Sequence, residues 1–318
     1  MKNYAGNTPM ADITYKYNDR IGHVYAKLEY YNPSGSIKDR IASYIVDKAA
    51  ESGLLRDGQP IIETTSGNTG IALAAYGALT HHPVHIFMPD WASDERKKLM
   101  KMYGAELHLV SREENGFIGA LEKASALAKE LGAFELDQFR NKLNSEAHYN
   151  TTAAEILSEL PSVTDFISGV GSGGTIMGIG TRLRESNGAR ITAIEPDTAM
   201  MLSGHPIRAP HKIEGIGDDF IPDLFNGRII DAILPINDDD AVAMSAKFAK
   251  ELGLGVGISS GANFLGAVLT DGKYPDQKTA TVFADDNKKY LSTVLSESPN
   301  PAADMISAQI KLLDLEII

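Results

Sequence analysis

The chain has 318 residues, 43% hydrophobic and 23% charged, which is the balance of a globular protein rather than a disordered one. Its formal net charge of −12 disfavours nucleic acid and anionic membrane surfaces as partners. No apolar run is long enough for a membrane span, and the first residues lack the apolar core of a signal peptide. The absence of cysteine excludes disulfides and a thiolate nucleophile, and we expect a soluble cytoplasmic protein.

Strand-like and helix-like segments alternate along most of the chain. The apolar run PIIETT at 60–65 leads into a helix pattern of small residues at 69–79, and such patterns continue to FEL at 134–136. A second series begins with DFISGV at 165–170 and ends with ATVFAD at 280–285. Because short connections link the alternating strands and helices, we expect parallel sheets that are covered by helices.

The repetition of this pattern predicts two three-layer α/β domains, at residues 1–145 and 146–318. The polar stretch RNKLNSEAHYN at 140–150 is the candidate for the boundary or hinge between them. Near the end of the chain, the period of ISAQIKLLDLEI at 306–317 predicts a surface helix.

The segment NPSGSIKDR at 32–40 joins a turn to the start of a predicted helix. Ile37, Ile41 and Ile45 recur every four residues and give that helix one buried face. Lys38 lies next to this face, where loss of hydration would lower the pKa of its amine and make it nucleophilic. The residues alone favour the alternative, an ordinary surface lysine on an amphipathic helix.

Three segments rich in glycine and hydroxyl groups each lead into a predicted helix. ETTSGNTG at 63–70 and GVGSGGT at 169–175 present the backbone N–H groups and small polar side chains that bind a carboxylate or a phosphate. GISSGAN at 257–263 is a similar turn. Ordinary turns and helix caps are the alternative for all three. The second segment lacks the lysine of the Walker pattern, which disfavours a nucleoside triphosphate.

The eight histidines show no local metal-ligand spacing. His81 and His82 are adjacent, and the others are His23, His85, His108, His148, His205 and His211. We therefore expect no metal site, and we interpret all the histidines as structural or solvated.

The order and spacing of these four segments resemble the β-family of pyridoxal-phosphate enzymes, fold type II (tryptophan synthase β-like). The similarity is strongest to cysteine synthase (O-acetylserine sulfhydrylase) and the catalytic core of cystathionine β-synthase, and it extends from GNTPM at 6–10 to DDNKKYLST at 285–293. It implies two α/β domains with pyridoxal 5'-phosphate in the cleft between them. It also implies that roughly the first 35 residues cross to the second domain, and that the protein is a homodimer.

The resemblance assigns a role to each segment. Lys38 would hold the cofactor as an imine and later remove the α-proton. Asn68 would contact the phenolic oxygen of the cofactor, and Ser259, rather than Ser260, would pair with the pyridine nitrogen. The phosphate would be held by Gly171, Ser172, Gly173, Gly174 and Thr175. The substrate would be bound by Thr65, Ser66, Gly67, Asn68, Thr69, Gln138, Gly215 and Asp219.

The implied reaction is a β-replacement that makes L-cysteine from O-acetylserine, or another activated serine, and sulfide through an aminoacrylate intermediate. The segment EGIGDDFIP at 214–222 departs from the wording QGIGAGFIP of typical cysteine synthases. Glu214 and Asp219 match the cystathionine β-synthases, and Asp218 adds a carboxylate. The alternative function is therefore that of a cystathionine β-synthase or a hydrogen-sulfide-producing cysteine lyase, which uses serine or cysteine with a thiol or water. The alternative for these acidic residues is that they have no such role and are simply solvated on a surface loop.

Other functions are disfavoured by the same motifs. A threonine or serine dehydratase shares the fold, but the motifs at 32–40 and 63–70 are closer to those of the synthases. A non-catalytic binding module would have no need to retain Lys38, Asn68 and Ser259 together. A nucleotide-binding dehydrogenase would carry a complete G-x-G-x-x-G motif near its amino terminus, which this sequence lacks.

Overall fold

The computed structural model describes residues 4–205, 210–274 and 276–318, whose strands form two sheets. The larger sheet has seven strands in the order β11-β1-β2-β10-β7-β8-β9, and the smaller has four in the order β5-β4-β3-β6. The strands are β1 (Met10–Tyr17), β2 (Arg20–Leu28), β3 (Ile61–Thr64), β4 (Val84–Pro89), β5 (Glu106–Val110), β6 (Phe134–Glu135), β7 (Asp165–Gly169), β8 (Arg190–Pro196), β9 (Ala232–Ile236), β10 (Thr279–Phe283) and β11 (Lys311–Ile317).

Helices cover both sheets. They are α1 (Lys38–Glu51), α2 (Asn68–Thr80), α3 (Asp94–Met102), α4 (Gly116–Leu131), α5 (Leu143–Asn150), α6 (Thr152–Glu159), α7 (Gly174–Asn187), α8 (Asp238–Leu252), α9 (Ile258–Thr270) and α10 (Ile306–Gln309). No helix in the described part of the chain is both long and apolar enough to cross a membrane.

The smaller sheet is parallel throughout, and helices pack against both of its faces. Successive side chains of a strand point to opposite faces. Ile61 and Ile86 therefore pack with α1 and α2, while Ile62 and Phe87 pack with α4 on the other face. This layering produces the predicted helix–sheet–helix arrangement.

The larger sheet combines both ends of the chain. β2 pairs in parallel with β10, so the first two strands belong to this sheet together with the strands that follow residue 164. α5 spans the proposed division at 145/146 and packs against both α1 and α7. We retain domains at 1–145 and 146–318 as a proposal, with α5 as the element that joins them.

The predicted surface helix at 306–317 is wrong beyond its first turn. α10 ends at Gln309, and β11 runs antiparallel to β1 at the edge of the larger sheet. Leu312 and Leu315 pack against the core beneath this sheet. A short apolar segment fits a helix or a strand by periodicity alone, and here the open edge of β1 decides in favour of the strand.

A buried ion-pair network, formed by Arg40, Glu29 and Glu155, fixes the start of α1. The Arg40 guanidinium donates to both carboxylate oxygens of Glu29 at 2.6 and 2.7 Å. It also donates to both oxygens of Glu155, on α6, at 2.7 Å each. Arg40 and Glu29 are 3% and 0% exposed, so neither charge has water as an alternative partner. The network therefore joins the turn that follows β2 to α1 and α6.

We expect the Arg40→Met substitution to lower the free energy of unfolding by about 3–5 kcal/mol, because it leaves the Glu29 carboxylate buried without a cation and leaves Glu155 with Lys27 alone. Urea denaturation followed by circular dichroism measures the change. Arg56→Met, at an exposed arginine, is the matched control and should stay within about 0.5 kcal/mol of the wild type. Equal stability of the two variants would contradict the structural role of the network.

Candidate active site

A cavity lies where the carboxyl ends of the parallel strands of both sheets meet, which is the usual ligand position in open α/β sheets. Most of the residues that the sequence analysis selected line it. They are Lys38, Thr65, Ser66, Gly67, Asn68, Thr69, Gln138, Gly171, Ser172, Gly173, Thr175, Gly215 and Ser259. Segments that are far apart in the sequence therefore meet at one site.

Lys38 is the first residue of α1, and its side chain lines the cavity. The turn before it is held by Asp39, whose carboxylate accepts from the Ser34 hydroxyl at 2.8 Å and from the Ser34 backbone N–H at 3.2 Å. Burial lowers the pKa of Lys38 to about 8, although Asp218 and Glu63 act in the opposite direction. A substantial fraction of neutral, nucleophilic amine is thus present near pH 7–8.

The Asn68 side chain, at the start of α2, is anchored on its donor side. Its amide nitrogen donates to Asp285 at 2.7 Å, and the same carboxylate oxygen accepts from the Tyr290 hydroxyl at 2.9 Å. The buried amide oxygen of Asn68 has no hydrogen-bond partner within the described residues. An unsatisfied buried amide is costly, so this position is suited to a further polar group in the cavity.

Thr69 and Gln138 are brought together although they lie on different segments. The Thr69 hydroxyl donates to the side-chain oxygen of Gln138 at 2.7 Å. The backbone N–H of Gln138 donates to Glu63 at 3.1 Å. Burial raises the pKa of Glu63 to about 8, so its carboxyl group is largely protonated near neutral pH. The N-terminus of α2 and the Gln138 amide thus form a neutral, donor-rich surface suited to a carboxylate.

The glycine loop at 171–175 leads into the N-terminus of α7. Gly173 has a φ of +85°, a conformation that glycine adopts without strain. A Cβ atom on Gly171 would collide with the carbonyl oxygen of Gly215, and one on Gly174 would collide with the Asn144 side chain. The glycines therefore let the loop pack closely against Gly215 and Asn144, and the backbone N–H groups at the helix N-terminus are suited to bind phosphate. Gly174 itself does not line the cavity.

Two residues that support this loop were not predicted as functional. Asn144 donates to the Ser172 hydroxyl at 3.0 Å, and His148 Nε2 lies 3.2 Å from the Thr175 hydroxyl. Burial lowers the pKa of His148 well below 6.5, which keeps the ring neutral. Both residues lie on α5, and no local sequence pattern reports a contact with a loop so far along the chain.

Ser259 lines the cavity at the N-terminus of α9, whereas Ser260 does not. Ser260 is fully buried, and its hydroxyl has no partner within the described residues. The geometry therefore favours Ser259 over Ser260 as the group that faces a ligand.

The acidic segment at 214–222 does not behave as a merely solvated loop. Glu214 lines the cavity and forms an ion pair with Arg96 of α3, a buried residue that lies over the Tyr290 ring at 5.0 Å. Arg96 was not selected from the sequence, because its local context is an ordinary charged helix. The pair connects the two sheets across the mouth of the cavity.

Within this segment the structure favours Asp218 over Asp219. Asp218 lines the cavity, and burial raises its pKa to about 6, although His211 and Lys38 act in the opposite direction. Asp219, the residue selected from the sequence, is exposed and does not line the cavity. Neighbouring side chains in a non-helical segment point in different directions, so the motif alone did not determine which carboxylate faces inward.

The chain belongs to the pyridoxal-phosphate dependent enzyme family, whose model matches residues 1–285. It is 42% identical over 294 residues to a cysteine synthase of Staphylococcus aureus, which is 91% of this chain and 94% of that protein. Its fold is similar to that of the hydrogen sulfide-producing enzyme of Fusobacterium nucleatum, with a TM-score of 0.94 and 45% identity. The match covers 100% of this chain and 98% of that enzyme. The O-acetylserine dependent cystathionine beta-synthase of Helicobacter pylori is also similar, with a TM-score of 0.85 and 35% identity. That match covers 92% of this chain and 97% of the other.

These comparisons confirm the predicted family, the α/β fold class and the pyridoxal-phosphate dependence. The residues of the cavity also fit the cofactor. It offers a glycine loop at a helix N-terminus for the phosphate, a buried amine at Lys38, and an amide oxygen of Asn68 that lacks a partner in the described chain.

The Gly171→Ala substitution tests the phosphate loop. We expect the added methyl group to displace Gly215 or the loop and to weaken cofactor binding by about 1–3 kcal/mol, or roughly 5- to 150-fold in Kd. Titration of the apoenzyme with pyridoxal phosphate, followed by visible absorbance, measures Kd. Gly227→Ala is the control, because a Cβ atom there meets no described atom within 4 Å. Unchanged affinity in the Gly171 variant would show that the phosphate lies elsewhere.

Proposed function

We propose that this enzyme makes L-cysteine from O-acetylserine, or another activated serine, and sulfide. The observation that carries the proposal is the convergence of Lys38, the loop at 65–69 and the glycine loop at 171–175 on one cavity. A β-replacement needs a base at Cα, a carboxylate site and a fixed cofactor, and this cavity offers candidates for all three. The similarity to a cysteine synthase over 91% of the chain supports the same reaction.

Each group in the cavity has a proposed task. The glycine loop binds the phosphate through backbone N–H groups and the Ser172 and Thr175 hydroxyls. The loop at 65–69 and Gln138 bind the α-carboxylate of the substrate, which places Cα near the Lys38 amine. When bound, the cofactor supplies an aldehyde that links to amines and an electron sink for the negative charge at Cα.

Lys38 has two proposed tasks. Its Nζ would hold the cofactor covalently before the substrate arrives and would be freed by the incoming amino group. The neutral Nζ next accepts the α-proton as the β-substituent leaves with the bonding electron pair. Sulfide adds to Cβ, and Lys38 returns the proton to Cα, so that acetate is exchanged for a thiol without any redox change. A pKa of about 8 suits a group that must both accept and return a proton near neutral pH.

Ser259 is the proposed partner of the ring nitrogen of the cofactor. A hydroxyl group is neutral, so it does not stabilise a protonated ring as an aspartate would. The electron sink is then weaker, which favours prompt loss of the β-substituent over transamination.

A second candidate function rests on the acidic mouth of the cavity. Hydroxide and hydrosulfide are poorer leaving groups than acetate, so serine and cysteine need a proton donor near Cβ. Asp218 is the candidate, because burial raises its pKa to about 6 and leaves part of it protonated near neutral pH. The fold similarity to a hydrogen sulfide-producing enzyme at 45% identity supports this alternative. Serine or cysteine would then react with a thiol or water.

We also propose that the protein is a cytoplasmic homodimer, as the resemblance to its family implies. Several large apolar side chains are exposed on the single chain, including Leu54, Met102 and Leu291 at 69%, 81% and 63%. An interface between two copies would remove part of this surface from water.

Replacement of Lys38 tests the central assignment. We expect Lys38→Ala to lose the visible absorbance of the covalently held cofactor and at least about 1,000-fold of kcat, because both the tether and the base are removed. Lys48→Ala, at an exposed lysine of the same helix, should retain both properties. Steady-state cysteine formation and absorbance spectra are the measurements. A Lys38 variant with full colour and turnover would refute the assignment.

A product assay by mass spectrometry distinguishes the two candidate functions. O-acetylserine, O-phosphoserine, serine and cysteine are each offered with sulfide and with homocysteine. We expect the highest kcat/KM with O-acetylserine and sulfide. A preference for cysteine or serine as donor would instead establish the second function.

The Asp218→Asn and Asp219→Asn variants test the acidic mouth in the same assay. We expect Asp218→Asn to slow the reactions of serine and cysteine by roughly tenfold to a hundredfold, the effect of losing a contact of about 1.5–3 kcal/mol. The reaction of O-acetylserine should be largely spared, because acetate leaves without a proton. A larger effect of Asp219→Asn would favour Asp219, the residue chosen from the sequence, as the proton donor. The loop would then have to turn its side chain towards the cavity. Equal losses with every donor would indicate a structural role.

A further inference from the structure

Two histidines and a glutamate converge on one face of the smaller sheet, outside the cavity. His85 lies on β4, and Glu106 and His108 lie on the edge strand β5. Nδ1 of His85 is 3.2 Å from Nε2 of His108, and each of these nitrogens is 3.6 Å from an oxygen of Glu106. One ligand atom from each residue can be chosen so that all three lie within 4.8 Å of one another.

These separations suit a single cation. Two nitrogens that each lie about 2.0–2.1 Å from a tetrahedral zinc ion are themselves about 3.4 Å apart, and those at a right angle are about 2.9 Å apart. The observed separation of 3.2 Å between the two ring nitrogens falls between these values. The oxygens of Glu106 require only a small movement of an exposed side chain to reach the same centre.

The sheet holds the three residues in position. In the parallel pairing of β4 with β5, His85 lies opposite Glu106 and Phe87 lies opposite His108. The Phe87 ring stacks on the His108 ring with centroids 4.4 Å apart and planes inclined by 12°. Ligands on paired strands, with one ring fixed by stacking, are more rigid than ligands on loops.

The surroundings of the pair also suit a metal. The His85 and His108 side chains are 15% and 27% exposed, so both rings are largely packed within the protein and still reachable from solution. A neutral imidazole presents the lone pair that a metal requires. Glu106 is exposed, so the site is accessible to a cation from solution.

We propose that His85, Glu106 and His108 form a binding site for one divalent transition-metal cation, such as Zn²⁺. Two imidazoles and a carboxylate favour zinc, nickel or copper over magnesium or calcium, which prefer oxygen ligands alone. Water would occupy the remaining coordination positions. The proposal departs from the expectation of no metal site, which rested on spacing along the chain. Here the ligands come from two strands separated by α3, so no local motif reveals them.

Zinc titration by calorimetry tests the proposal on the holoenzyme, free of any affinity tag and stripped of metals with a chelator. We expect one Zn²⁺ per chain to bind the wild type and raise its melting temperature. The His108→Asn variant should bind at least tenfold more weakly, since loss of a residue that only hydrogen-bonds to a metal ligand already costs about 10–100-fold in affinity. His81→Asn, at an exposed histidine outside the cluster, should bind as the wild type does. Visible cofactor absorbance verifies that each variant is folded.

Two results would overturn the proposal: no stoichiometric zinc binding by the wild type, or equal affinity of the wild type and His108→Asn. If the His108 variant does not fold, X-ray absorption of the wild type with one equivalent of Zn²⁺ decides instead. Two imidazole ligands in that spectrum support the site, and a spectrum without imidazole rejects it.

Discussion

The buried charge of Arg40 is the constraint on which the arrangement of the active site depends. Its guanidinium makes hydrogen bonds to Glu29 and Glu155 that leave α1 little freedom to shift or rotate. Lys38 precedes Arg40 by two residues, which is about 200° around a helix, so the two side chains leave α1 in nearly opposite directions. One turn of helix thus carries an anchor on one side and the candidate amine on the other.

The two cations of this turn differ because their surroundings differ. Arg40 lies between two carboxylates that offset the cost of removing its charge from water. For Lys38 burial outweighs the more distant Asp218 and Glu63, so its pKa falls to about 8. Arginine stays protonated when buried, whereas lysine releases its proton readily. The sequence order Lys-Asp-Arg therefore places a stable charge and a titratable one within three positions.

Much of the cavity was predictable because its parts are contiguous motifs. A loop such as 171–175 would bind phosphate through its own backbone N–H groups. Its glycine-rich composition therefore predicts the site from a short stretch of sequence. The supporting residues Asn144, His148 and Arg96 were missed, because each acts through a contact with a segment far along the chain. β11 was missed for the same reason, since its partner β1 lies at the other end of the sequence.

The cavity has two parts with different proposed tasks. Its buried loops would serve the steps that all donors share, and its open mouth would select the donor. The loops at 65–69 and 171–175 and the start of α1 line the cavity. In the proposed reaction they would bind what is common to every donor: the α-carboxylate and α-proton of the substrate and the phosphate of the cofactor. Hydrogen bonds and close packing with neighbouring segments fix these loops in place. Substitutions in them should therefore reduce the activity with every donor. In the proposed reaction the segment at 214–222 would face the part of the substrate that differs, the group on Cβ. A change there would alter which donor reacts while leaving the common steps intact. Glu214 and Asp218, the carboxylates of this segment that line the cavity, are therefore the residues that would decide between the two candidate reactions.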